Sequence, residues 1–361
     1  MKIILISKQT LAVVFVSFFL PLVTVAQTQV VKRSIAQSNN YGVNYFLPKS
    51  MLEIRARVAK IEKKAGPYYK YAEKFLGITD IVKENQTYYE LEGVEVFSRG
   101  VPDKEKSYLV ELKSKTTAPF VYLTESGLIC TINAEYVPEE IPSTEIEQVR
   151  PSSKLSAENL FTEEYMQAGS TAKMAEVAAK QIYKIRESRM DILTGNSDNA
   201  PRDGAALKLI LEQLENQEKA LVELFAGSSG RSVSTISMSV EPNADMEKEV
   251  IFRFSKYLGV VSNDDLSGAP VYINLKKIDL VEPIDYSKKK EKSLDKGIFY
   301  NIPGQGVVEV YYGTNQICKT TLNITQFGTT QVLASPIFED KKAPVKVYFY
   351  PETGGIKKIE Q

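Results

Sequence analysis

Ser170-Thr171-Ala172-Lys173 and Ser197-Asp198-Asn199 match the S-x-x-K and S-D-N boxes in which lysine, not histidine, activates a serine. They are the sharpest candidates for nucleophilic catalysis in the sequence. Their spacing argues against it. The boxes bracket a segment of helical periodicity, which sets them roughly 40 Å apart at about 1.5 Å per residue. A nucleophile and its partner must be within hydrogen-bonding reach. The third box of such sites, Lys-Thr-Gly, is replaced by Lys319-Thr320-Thr321. These boxes read as a helix N-terminus and a polar turn.

The other reactive residue types are sparse. The chain has no histidine, so Ser-His-Asp and Cys-His nucleophiles and His-based zinc sites are excluded, and two cysteines are too few for a zinc finger or iron–sulfur cluster. Asn263, Asp265, Ser267 and Gly268 imitate positions 1, 3, 5 and 6 of a calcium loop. Position 12 would be Asn274, inside a strand pattern, so the segment reads as an Asx-rich hairpin turn. Carboxylates cluster at Glu90, Glu92 and Glu95, at Glu139-Glu140 and at Glu163-Glu164. A glycosidase needs two acids facing each other across a cleft, which spacing alone does not establish. Tyr68, Tyr69, Tyr71, Tyr311 and Tyr312 suit strand packing, and could also stack on sugars or build an interface. No catalytic residue, metal ligand or cofactor is expected, and the chain is read as not an enzyme.

The start of the chain has the form of an export signal. Lys2 and Lys8 precede the apolar run Leu11–Val25, and Thr24-Val25-Ala26 is a small-residue cleavage signature. Residues 1–26 are therefore expected to be removed, leaving no apolar stretch able to span a membrane. The expected location is periplasmic or cell-surface, in soluble form. Forty-five basic residues balance forty-five acidic ones, so no net field draws nucleic acid. In an oxidising compartment Cys130 and Cys318 could pair. Such a bridge would close a loop of half the chain and constrain the unfolded state by roughly 5 kcal/mol. The alternative is two free thiols packed as small hydrophobes.

The elements follow from periodicity. Residues 27–40 read as a flexible leader. Leu52, Ile54, Ala56 and Val58 alternate with charged residues as a half-buried strand, and Gly66-Pro67 opens a short helix over Tyr68–Leu76 with Gly77 beyond its end. Strand patterns at Thr87–Phe97 (with Gly93 at a bulge), Ser107–Lys113, Phe120–Leu123 and Leu128–Ile132 complete a β-rich unit over 41–134. Residues 135–164 form an acidic connector containing Pro138, Pro142 and Pro151.

Two amphipathic helices follow within 165–227. Thr171, Ala175, Ala178, Ile182, Ile185, Arg189 and Ile192 form one seam, and Leu207, Ile210, Leu214, Gln217, Leu221 and Leu224 form the other. The Gly195–Pro201 turn makes them an antiparallel hairpin, with Arg189 and Gln217 interrupting the seams. From 233 to 361 many short strands between turn clusters predict a β-sandwich-like unit. The fold class is α+β.

Several strings together resemble a domain-of-unknown-function family of exported Bacteroidota proteins. They are Gly66-Pro67-Tyr68, Tyr71-Ala72, Leu76-Gly77, Ile185-Arg186-Glu187, Asp203-Gly204-Ala205, Arg253-Phe254-Ser255, Tyr300-Asn301-Ile302-Pro303-Gly304 and Gln326-Phe327-Gly328. The resemblance runs from about Tyr41 to the end and implies a cell-envelope protein, with no functional residues to carry over. The expected function is non-catalytic contact with another envelope protein, with the helical hairpin as the interacting element. The alternatives are a glycan-binding module with tyrosine platforms on the C-terminal sheet, and a hydrolase built on carboxylates.

Overall fold

The computed structural model describes residues 29–32, 42–111, 121–138, 156–196, 203–278, 297–333 and 345–360. The expected signal segment 1–26, most of the acidic stretch and Ser197-Asp198-Asn199 lie outside them. The strands are β1 (Gln29–Lys32), β2 (Gly42–Lys64), β3 (Gln86–Glu111), β4 (Val121–Leu123), β5 (Ile129–Ile132), β6 (Ser228–Val240), β7 (Met246–Ser255), β8 (Gly259–Val261), β9 (Ala269–Lys277), β10 (Ile298–Tyr312), β11 (Asn315–Leu333), β12 (Lys346–Phe349) and β13 (Ile356–Glu360). The helices are α1 (Ala72–Leu76), α2 (Glu163–Met166), α3 (Thr171–Thr194) and α4 (Gly204–Ala226).

Period-two alternation in the sequence becomes burial alternation in β2, where Leu52, Ile54, Ala56 and Val58 turn inward. Three antiparallel sheets result, with strand orders β1-β3-β2-β6, β11-β10-β9-β7-β8 and β13-β12-β5-β4. The first two sheets face each other over a common core. Leu52, Ile54, Val94 and Val96 pack there against Phe252, Ile273, Val310 and Phe327. A second core joins the third sheet to the ends of β2, β3 and β10. In it Tyr45, Tyr108 and Phe299 form a continuous stack with ring separations of 5.5 and 4.3 Å. Burial pushes the Tyr108 hydroxyl pKa up to about 12.

The α+β class and the helical hairpin are as expected from the sequence, but the chain is organised differently between them. The two β-rich units, expected over 41–134 and 233–361, share sheets. β6 pairs with β2 from Leu52↔Val240 to Lys64↔Ser228, and β12 pairs with β5. Turn residues mark where a strand ends; they carry no information on which distant strand it meets.

Three smaller differences have local causes. Thr87–Phe97 and Ser107–Lys113 belong to one strand, β3, up to Glu111. Its pattern is interrupted because Asp103–Lys106 loop out opposite Leu47, between the pairs Phe46↔Ser107 and Pro48↔Pro102. The bulge expected at Gly93 falls on Glu92, between the pairs Arg57↔Gly93 and Val58↔Leu91. The leader contains β1, which pairs with Tyr108–Glu111; Val30-Val31 is too short a run to show a period.

The end of the acidic connector is also ordered. Tyr165 of α2 is buried, and Phe161 stacks on it at 3.9 Å. With so few apolar positions among acids, this docking leaves no periodic trace.

The hairpin matches its sequence signals residue by residue. Ser170 caps α3, Gly195 ends it in the left-handed region at φ 76°, and the Asp203 carboxylate caps α4 by accepting the Ala206 N–H at 3.0 Å. No helix among the described residues is long and apolar enough to cross a membrane.

Candidate functional site

Among the described residues, those singled out for chemistry do not converge. Ser170 Oγ accepts the Lys173 N–H at 3.3 Å, and Lys173 Nζ lies 3.3 Å from Glu176, so the S-x-x-K box is a helix cap. Asp265 Oδ1 accepts the Ser267 N–H at 2.9 Å, and Asn263 donates to the Val250 carbonyl at 2.9 Å. Both are taken up by the turn. Hydrogen bonds from Ser267 hold the Asp265 carboxyl below its ordinary range. Glu92 sits between Arg57 and Arg231. Tyr311 donates to Glu309 at 3.0 Å and Tyr312 packs edge-on against Phe254, so this pair builds no platform.

Cys130 and Cys318 stand as two free thiols on strands of different sheets. Cys130 is buried in β5, and burial pushes its pKa up to about 11, against ionisation. Cys318 is half-buried in β11, raised by the same cause. Titration of the unreduced chain with a thiol reagent in denaturant should therefore count two thiols, with Cys130 protected before unfolding. A count of zero would mean a bridge.

Two features are built with more care. The first is the hairpin. Its base is locked to the body by α1 and α2. The Tyr68 N–H donates to the Leu224 carbonyl at 2.8 Å, the Tyr68 and Tyr165 hydroxyls are hydrogen-bonded, and Tyr68 packs 5.5 Å from the Phe225 ring. Burial, then the Tyr165 bond, raises the Tyr68 pKa. Ala175, Ala178, Ile182, Ile185, Leu221 and Phe225 are buried in this base.

Beyond Ile185 the packing changes. Arg186 Nε donates to Glu218 Oε1 at 2.6 Å, and Arg189 Nη1 lies 3.0 Å from Glu218 Oε2. One carboxylate thus holds two guanidinium groups across the helix pair. Glu218→Ala removes the Arg186 hydrogen bond and the Arg189 ion pair. The freed arginine side chains are 37% and 35% exposed and can be hydrated, so the loss should be about 1–2 kcal/mol in urea unfolding. Past this clasp Met190, Leu193, Leu209 and Ile210 are 60%, 63%, 58% and 37% exposed. Only Ile210 of these belongs to the seams; Met190, Leu193 and Leu209 lie beside them.

The second feature is a cleft of about 910 Å³ where β3, the β10–β11 hairpin and the β12–β13 turn meet. Its floor is a register break. Ile302 pairs with Thr329 and Gly304 with Ile324, so Pro303, which has no N–H to donate, faces the bulge Thr325–Gly328. The Ser50 N–H enters the bulge, donating to Thr325 Oγ1 at 2.8 Å and Gln326 Oε1 at 3.1 Å. Gln326 Nε2 donates back to the Ser50 carbonyl at 2.7 Å.

Beside it Asn301, only 1% exposed, donates to the Pro48 and Thr353 carbonyls at 2.9 and 3.0 Å and accepts from Thr330 Oγ1 at 3.1 Å. Tyr300-Asn301-Ile302-Pro303-Gly304 and Gln326-Phe327-Gly328 are thus two sides of one construction. Nothing in the sequence gives the two strings a common place. Their glycines and proline hinted at close backbone approach, and only the register shows where.

The fold is therefore that of a mixed α+β chain with a protruding helical arm and a cleft at a sheet junction. The chain belongs to the family described as Domain of unknown function (DUF4831), which matches residues 41–357. No curated protein and no solved structure is similar to it.

Proposed function

We propose that this is a non-catalytic cell-envelope protein that works by contact with another envelope protein, and that the far half of the hairpin is the contacting surface. The observation that carries the reading is the contrast along one hairpin. Ala175, Ala178, Ile182, Ile185, Leu221 and Phe225 below the Glu218 clasp are buried in the body, whereas above it Ile192, Leu207 and Leu214 are half-buried and Met190, Leu193, Leu209 and Ile210 face solvent. Exposed apolar side chains grouped on one element are the usual mark of an interface. The envelope location is supported by the leader with Lys2, Lys8 and the Leu11–Val25 run, and by the exported Bacteroidota proteins that the sequence resembles. Absence of histidine supports the non-catalytic half of the reading.

The test compares the mature chain with a variant carrying Met190→Ser, Leu193→Ser, Leu209→Ser and Ile210→Ser, both tagged and expressed in the native cell. These are surface substitutions, each expected to change stability by no more than about 0.5 kcal/mol. An envelope protein should co-purify stoichiometrically with the parent and be lost with the variant. Equal recovery with both would sink the reading.

A further inference from the structure

We infer that the cleft at the sheet junction is a binding site for a neutral oligosaccharide, a function independent of the hairpin contact. Its volume, about 910 Å³, is that of a small-ligand site. Its walls present aromatic rings from separate elements: Phe97 of β3, 41% exposed, and Tyr350 ahead of the β12–β13 turn, 44% exposed. Between them stand exposed neutral hydrogen-bonding side chains, Gln305, Thr321 and Asn323. Flat apolar rings beside amides and hydroxyls complement a sugar, which offers C–H faces and a rim of hydroxyls.

Charge narrows the class. Among the described residues of the lining, Glu352 is the one that carries a charge. Nearby, Arg55 lies 4.9 Å from the centre of the Phe97 ring and is paired with Glu53 at 2.8 Å, and Lys357 Nζ lies 5.5 Å from the centre of the Tyr350 ring, outside the lining. Among the described lining residues a phosphate, sulfate or uronate would meet only a carboxylate. An uncharged polyol meets no such penalty.

One further observation bears on binding. The turn carrying Tyr350 and Glu352 is preset. The Tyr350 N–H donates to the Gly355 carbonyl at 2.8 Å, the Gly355 N–H donates to Thr353 Oγ1 at 3.3 Å, and Asn301 holds the Thr353 carbonyl. A wall fixed by this many bonds loses little entropy on binding.

The test is native electrophoresis of the mature chain through gels containing soluble neutral polysaccharides (β-glucan, xyloglucan, galactomannan, dextran), with polygalacturonate and an extended polar peptide as competitors. At least one neutral polymer should retard the protein. Tyr350→Ala and Phe97→Ala should each weaken that retardation about tenfold, the effect of losing one stacked ring. Both residues are exposed, and an unchanged circular dichroism spectrum will show that the variants fold. The hairpin-tip variant should bind as the parent does, which separates this site from the contact reading. No retardation by any neutral polymer, equal retardation of parent and ring variants, or displacement by polygalacturonate or the peptide alone would each overturn the proposal.

Discussion

Replacing Gly328 by alanine should leave almost no folded protein. A Cβ at this position would lie 1.8 Å from the Ile302 carbonyl oxygen and 2.7 Å from the Gly304 nitrogen. Both obstacles are backbone, so no side chain can swing aside to admit the methyl group. The β10–β11 hairpin would have to part at the break that lets Ser50 into the bulge, and the hydrogen bonds to Thr325 and Gln326 would go with it. The expected loss is more than about 4 kcal/mol, at the far end of what single substitutions do. Soluble yield and thermal unfolding measure it. Gly93→Ala is the control, since a Cβ there meets nothing within 4 Å, and it should fold normally.

Asn301→Ala is the second large effect. The side chain is buried and makes three hydrogen bonds, two of them to carbonyl oxygens of segments far apart in sequence, Pro48 and Thr353. Truncation leaves those carbonyls without their donor in a buried site. At about 1–3 kcal/mol for each unmet group, part of it relieved by relaxation, the loss should be about 3–4 kcal/mol in urea unfolding. Asn301→Asp should cost at least as much at neutral pH, because a carboxylate would face two carbonyl oxygens instead of donating to them. Its penalty should shrink as the pH falls and the carboxyl takes up a proton. A shift below about 1 kcal/mol for the alanine variant would mean that Asn301 does not tie the junction together.

Local structure was legible where a period or a cap was strong. The 3–4 spacing from Thr171 to Ile192 and from Leu207 to Leu224, with Ser170, Gly195 and Asp203 at the ends, reads directly as the hairpin that forms. Gly77 in the left-handed region ends α1 as its type suggested. Strand partnership was not legible. Nothing near Ile236 or Val240 says that they will lie beside Ala56 and Leu52, and the pairing that merges the two expected β-units is long-range.

The candidate sites divide in the same way. The hairpin was visible as a structural element, but its polar clasp was half seen. Arg189 was noted as a break in the seam, while its partner Glu218 looked like one surface acid among many. The cleft was invisible because Phe97, Tyr300, Asn323 and Tyr350 come from three regions of the chain and meet only through the register break at Pro303. Glycines and prolines in Tyr300–Gly304 and Gln326–Gly328 were the available signal, and they point to a close approach without naming the other side.

Site-resolved photo-crosslinking in intact cells tests most directly whether this molecule acts through its arm. A photoreactive residue at Leu209, near the tip, should form a discrete adduct with another envelope protein, and the same residue at Lys180, solvent-facing but beside the packed base, should not. An empty lane at Leu209, or adducts of equal strength at both positions, would contradict the account.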